Sequence, residues 1–67
     1  MQISARNQLK GRVKEVVLGT VMAEVVVDVS GQELTSAITR RSAEALGLKA
    51  GDSVTAIIKA TEVIIGK

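Results

Sequence analysis

Apolar and polar residues alternate with period two along most of this 67-residue chain, glycine-containing breaks interrupt the pattern, and in one short stretch it stops altogether. These observations predict an all-β domain: a small OB-like five-stranded antiparallel barrel with one short helix between strands three and four. In residues 2–17, Ile3, Ala5, Leu9 and Val13 recur among polar neighbours, as in a strand with one buried face. Leu18-Gly19-Thr20 interrupts that run. Residues 21–29 read as a second strand, with Ala23, Val25, Val27 and Val29 on one face and Met22, Glu24, Val26 and Asp28 on the other. Both faces are partly apolar, which suits a strand lying between a core and a neighbouring subunit.

Ser30-Gly31-Gln32 supplies a hairpin turn, because Gly accepts the positive φ such turns require, and residues 33–39 return as the third strand. The alternation stops over residues 40–46. Thr39 suits an N-cap, Ala43, Ala45 and Leu46 are good helix formers, and Gly47 suits the left-handed residue that closes a helix. Lys49-Ala50-Gly51-Asp52 reads as a turn, residues 54–59 as the fourth strand and residues 62–65 as a short fifth.

A chain this short buries a small share of its surface and needs help to stay folded. Disulfides, a structural metal and aromatic packing are the usual aids, yet the sequence has no Cys, no His and no Phe, Trp or Tyr. Hydrophobic residues make up 46%, nearly all of them aliphatic, so part of that surface is expected to be interface. The chain is therefore expected to be an obligate homo-oligomer. There is no basic-then-apolar leader and the apolar runs are far too short to span a bilayer, which points to a cytoplasmic protein with no membrane partner. The formal charge of +2 comes from scattered basic residues, too weak a balance to imply nucleic acid.

The chemistry available is narrow. No His or Cys can act as base or thiolate, and the carboxylates are spread singly, as solvated surface charge would be. A bound metal cation would require Cys, His or clustered Asp and Glu. The expectation is therefore a non-enzyme with no catalytic residue and no cation ligand; a metal, if handled at all, is handled as an oxyanion.

One string is unusually specific: Ser4-Ala5-Arg6-Asn7-Gln8-Leu9-Lys10-Gly11. Gly19-Thr20-Val21-Met22-Ala23-Glu24-Val25, Ala37-Ile38-Thr39, Ser42 and Ile58-Lys59-Ala60-Thr61 follow it. In order and spacing these resemble the molbindins of the Mop family, small molybdate-binding proteins built from a single TOBE domain. The match runs over nearly the whole chain, so a single TOBE/Mop domain over 1–67 is expected. The resemblance implies that Ser4, Arg6, Thr39, Ser42, Lys59 and Ala60 line an oxyanion site between subunits, where the N-terminal strand of one chain meets the helix start of another. It implies molybdate as ligand, with tungstate possible, no cofactor, and a hexamer arranged as a trimer of dimers serving intracellular molybdenum storage or homeostasis. A second type of anion site near the threefold axis is also implied, and Gly19, Thr20 and Val21 are its candidates.

These residue types suit a tetrahedral dianion, which needs hydrogen-bond donors around four oxygens and fixed positive charge to offset its desolvation. Ser4 and Arg6 would alternate on one side of the first strand, Thr39 and Ser42 would bracket the first helical turn, and Lys59 would add a second cation. Each residue also has a plainer account: Ser4 and Arg6 as edge decoration, Thr39 as a cap, Ser42 as its partner, Lys59 as a snorkelling side chain. Their joint occurrence with the octet favours the site. Arg40 and Arg41 depart from the pattern, and their role is left open.

Three other readings compete. Residues 45–54 resemble the helix-to-strand corner of AbrB-type swapped-hairpin DNA-binding proteins, although no Pro precedes the helix. A regulatory TOBE module detached from a molybdate transporter would share the ligand, but no nucleotide-binding loop is present. An OB-type nucleic-acid binder would need aromatic stacking platforms, which the chain lacks.

Overall fold

The strand β1 (Asn7–Leu18) organises the sheet because it pairs with two neighbours in succession. Its first half, Asn7 to Arg12, runs antiparallel to β4 (Ser53–Ile58), and from Arg12 to Leu18 it runs antiparallel to β2 (Met22–Val29). With β3 (Gln32–Thr39) on the outer side of β2, the strand order is β3-β2-β1-β4, and α1 (Arg40–Ala45) lies in the connection from β3 to β4. This computed structural model describes residues 2–67.

The partner exchange happens at Gly11 and Arg12. A Cβ on Gly11 would stand 2.6 Å from the Asp28 carbonyl oxygen and 2.7 Å from Val27 Cγ1, so only Gly lets β2 approach this closely. Immediately after, the register shifts between Val13 and Glu15, leaving Lys14 as the extra residue of a bulge. Val13 meanwhile holds the turn before β4, donating to the Asp52 carbonyl at 2.8 Å and accepting from the Gly51 N–H at 2.8 Å. A bulge bends its strand and sharpens the twist. The sheet curls accordingly around a small core of Val13, Val25 and Val27, with Val16, Val29, Ile38, Leu48 and Val54 packed against it.

The all-β, OB-like architecture follows the expectation from sequence, and the local chemistry explains most boundaries. The hairpin between β2 and β3 turns through Ser30 and Gly31, both at positive φ, and the Asp28 carboxylate accepts from the Gly31 N–H at 3.0 Å. Thr39 caps α1 as expected, accepting from the Ser42 N–H. Gly47, at φ 61°, ends the helix: its N–H donates to the Glu44 carbonyl and that of Leu48 to the Ala43 carbonyl, a Schellman arrangement.

Two expectations fail at the chain ends. Residues 2–6 lie outside the first strand, so Ser4 and Arg6 do not alternate on a strand face. The reason is a missing partner: Asn7 pairs with Ile58, the last residue of β4, and beyond it Lys59 leads into a 3₁₀ turn at Ala60–Glu62. Gln8 donates instead from Nε2 to the Ala5 carbonyl at 2.8 Å, folding the arm back locally. Residues 62–65 likewise form no fifth strand, because nothing among the described residues pairs with them; Ile64 and Ile65 are 93% and 85% exposed. The described residues thus contain four strands, and between the unpaired edges of β3 and β4 an apolar cleft of about 360 Å³ stays open, lined by Val25, Val27, Leu34, Ile38, Leu48 and Val54 among others. No helix among the described residues is long and apolar enough to cross a membrane.

Gly11→Ala is expected to destabilise the protein by about 1–3 kcal/mol through overpacking against backbone that cannot retreat. Urea unfolding at fixed protein concentration measures it, and Gly66→Ala, where nothing stands within 4 Å of the added Cβ, serves as the neutral comparison.

Candidate functional site

The sequence-derived donors fall into two groups at opposite ends of β1. At the first end the Asn7–Ile58 pair is the last rung of the β1–β4 ladder, so the next residues outward are Arg6 on the arm and Lys59 on the other strand. Both side chains are exposed, as are Ser4 and Ala60. Lys59 has an extended backbone, φ −63° and ψ 135°, and its side chain makes no capping bond to the 3₁₀ turn that follows. The Ala60 N–H opens that turn, where an N–H finds no acceptor within the turn itself. Two cations, a hydroxyl and an amide are therefore grouped where the arm leaves the sheet.

At the second end Leu18 pairs with Ala23 and Met22 pairs with Thr39. The Thr39 hydroxyl is fully engaged: its oxygen accepts from the Ser42 N–H at 3.1 Å and donates to Ser42 Oγ at 2.8 Å. The Ser42 hydroxyl proton is thereby left free to point outward, so the pair presents one aimed donor rather than two. The turn at residues 19–21 lies alongside. Gly19 donates to the Met22 carbonyl at 2.7 Å, Arg40 donates from its backbone to the Val21 carbonyl at 2.8 Å, and a cleft of about 480 Å³ is bordered by Thr20, Val21, Thr39, Arg40, Arg41 and Glu44. The candidates for the second anion site, Gly19, Thr20 and Val21, are thus gathered beside Thr39 in a single chain.

The remaining candidates are not gathered. β1 begins against Ile58, next to Lys59, and ends against Ala23, next to the Met22–Thr39 pair. Ser4, Arg6, Lys59 and Ala60 therefore stand at one end, and Thr39 and Ser42 at the other. The apolar cleft between β3 and β4 offers few polar groups and does not suit an anion. Among the described residues no group of three or more His, Cys, Asp or Glu is placed to hold a metal ion. Away from both ends, Glu33 hydrogen-bonds Lys14 and attracts its charge, which raises the ammonium pKa above its ordinary value of 10.5.

Two contacts near the site were not visible as functional features of the sequence. Arg40 donates from Nη1 to the Gly19 carbonyl at 3.3 Å and pairs from Nε with Glu44 at 3.4 Å. The Arg40–Glu44 spacing of four residues is a signal that could have been read; the reach to Gly19, 21 residues away, has none.

With a curled sheet of this order, a capped helix between β3 and β4, and donors at both ends of β1, the fold and the chain can be set beside known proteins. The chain belongs to the TOBE domain family, whose model matches residues 3–65. Within it, the chain is 53% identical over 66 residues to molybdenum-pterin-binding protein 3 of Clostridium pasteurianum, covering 97% of each sequence. The solved structure of a molybdate-binding protein from Sporomusa ovata superimposes with a TM-score of 0.95 at 54% identity, over all of both chains. That of the cytoplasmic molybdate-binding protein ModG, crystallised with molybdate bound, gives a TM-score of 0.90 at 46% identity, over 96% of this chain and 46% of that one. The resemblance carried by the octet is therefore a true family relationship.

Thr39→Ala is expected to cost about 1 kcal/mol of stability through loss of the cap, and Thr39→Ser to restore most of it. Ser42→Ala, which removes no capping oxygen, should leave stability nearly unchanged. Thermal melts at one fixed concentration separate the three variants.

Proposed function

We propose that this chain binds molybdate, and tungstate with similar strength, at interfaces between copies of itself. It performs no catalysis and serves molybdenum storage or homeostasis in the cytoplasm as a single domain over 1–67. The observation that carries this reading is the division of the donor set. Ser4, Arg6, Lys59 and Ala60 stand at one end of β1 and Thr39 and Ser42 at the other, so a site using both groups needs the first end of one chain against the second end of another. The names of the relatives supply the ligand: a molybdate-binding protein and molybdenum-pterin-binding proteins at about half identity over the full length.

The chemistry agrees with a tetrahedral dianion. Arg6 and Lys59 together neutralise two negative charges, and the Ser4 and Ser42 hydroxyls and the Ala60 N–H supply donors without a carboxylate among them. Thr39 takes part by holding Ser42. Gly19, Thr20 and Val21 form the proposed second anion site beside it.

Self-association has its own support. Val63, Ile64 and Ile65 leave the fold exposed, and the cleft between β3 and β4 presents apolar walls to solvent. A second copy covers both kinds of surface, which makes a homo-oligomer, as a hexamer of three dimers, the assembly that fits. Neither nucleic acid nor membrane is a partner in this reading.

Calorimetric titration with molybdate tests the proposal. Arg6→Ala and Lys59→Ala should each lose binding by about 2–5 kcal/mol, the range for removing one partner of a buried charge pair, with the oligomer intact by ultracentrifugation. Sulfate, being smaller, leaves donors unpaired at about 1–3 kcal/mol each, so it should displace molybdate only at far higher concentration. Wild-type affinity in both variants, or equal competition by sulfate, contradicts the assignment.

A further inference from the structure

Arg40 uses its main chain and its side chain on the same target. Its N–H donates to the Val21 carbonyl at 2.8 Å and its Nη1 to the Gly19 carbonyl at 3.3 Å, so one residue holds two carbonyls of one turn. The turn itself is tight: Gly19 donates to the Met22 carbonyl, and a Cβ on Gly19 would fall 2.8 Å from that oxygen. Glu44, one helical turn further on, takes the Nε donor at 3.4 Å and holds the guanidinium in line with the turn. The residue before Arg40 is Thr39, whose hydroxyl aims Ser42.

We propose that Arg40 is a positioning residue, a fork that clamps the turn at residues 19–21 to the start of α1 and thereby fixes the Thr39–Ser42 pair. The proposal rests on the molybdate reading above. Thr39 is paired with Met22 in the β2–β3 ladder and the Arg40 N–H reaches the Val21 carbonyl; without the side-chain half of the fork the Gly19 end of the turn is released, and the main-chain contact to Val21 loosens with it. Ser42 would then sample directions other than the one that meets the anion. The guanidinium donors face a carbonyl and a carboxylate, so Arg40 contributes geometry rather than a free charge to the ligand. A planar fork with donors at fixed angles does this; an ammonium on a flexible stem holds one acceptor at a time.

The test is molybdate titration of Arg40→Lys and Arg40→Gln across a range of salt concentrations, together with a double-mutant cycle pairing Arg40→Lys with Ser42→Ala. The clamp predicts a loss of about tenfold or more in both Arg40 variants, no rescue by Lys, and a salt dependence equal to that of the wild type. It also predicts that Arg40→Lys costs little further in a chain already carrying Ser42→Ala, because coupled residues are not additive. Amide exchange should quicken at position 40 in the unliganded Arg40→Lys protein. If Arg40→Gln fails to assemble, Arg40→Lys and Glu44→Gln carry the same expectations. Full affinity in Arg40→Lys overturns the proposal, since charge alone then suffices, and so does a loss that adds fully to that of Ser42→Ala. A wild-type protein that binds no molybdate fails the underlying reading instead, a result these variants cannot mimic.

Discussion

The double pairing of β1 is the constraint on which the rest of the molecule depends. A twelve-residue strand that gives its first half to β4 and its second half to β2 must change partners midway, and it does so where Gly11 admits the Asp28 carbonyl and Lys14 bulges out. Because of that exchange the sheet curls without closing, β3 and β4 remain as edges, and the two ends of β1 carry two separate groups of candidate donors. The Gly that closes the octet is thus explained by packing, whereas Ser4 and Arg6 at its start have no packing duty and stand exposed.

In the proposed reading, a small fold with this arrangement binds a dianion by sharing the task between two copies. One chain alone would offer the cations of one end to an anion still largely in water, where charge attraction is weak. Bringing the helix start of a second copy against that end removes water, strengthens the attraction and adds the Ser42 hydroxyl in one step. The same encounter covers aliphatic surface that the small core leaves outside: Val21, Leu46, Ile64 and Ile65 are all at least 70% exposed. On that reading binding and assembly are linked, since ligand bound at an interface stabilises the assembled state.

The interior of the fold was legible in the sequence wherever the controlling interaction is local. Thr39 as cap, Gly47 as helix stop, the Ser30-Gly31 turn and the valine face of β2 all depend on residues within a few positions, and the structure has them as read. The ends were not legible in the same way. Residues 2–6 carry strand-like alternation and residues 62–65 a short apolar run, but a strand exists only where another strand pairs with it, and β4 stops at Ile58. Of the candidate site, the residue types were readable as anion donors, while their division between two groups came only from the family resemblance, because from the residues alone it depends on register. The Arg40 reach to Gly19 is a long-range fact of the same kind, whereas the Thr39 hydroxyl spent on Ser42 is the local cap pairing that the sequence offered.

Complementation between two defective chains tests most directly whether the site is shared. Arg6→Ala damages one end of β1 and Ser42→Ala the other, so each protein alone should bind molybdate poorly. Unfolded together in equal amounts and refolded, they form mixed oligomers in which about a quarter of the sites pair two intact ends. The account predicts that this fraction of wild-type, tight-binding sites returns in a molybdate titration of the mixture. Recovery of none, in oligomers that native mass spectrometry shows to be mixed, would place the whole site within one chain and contradict it.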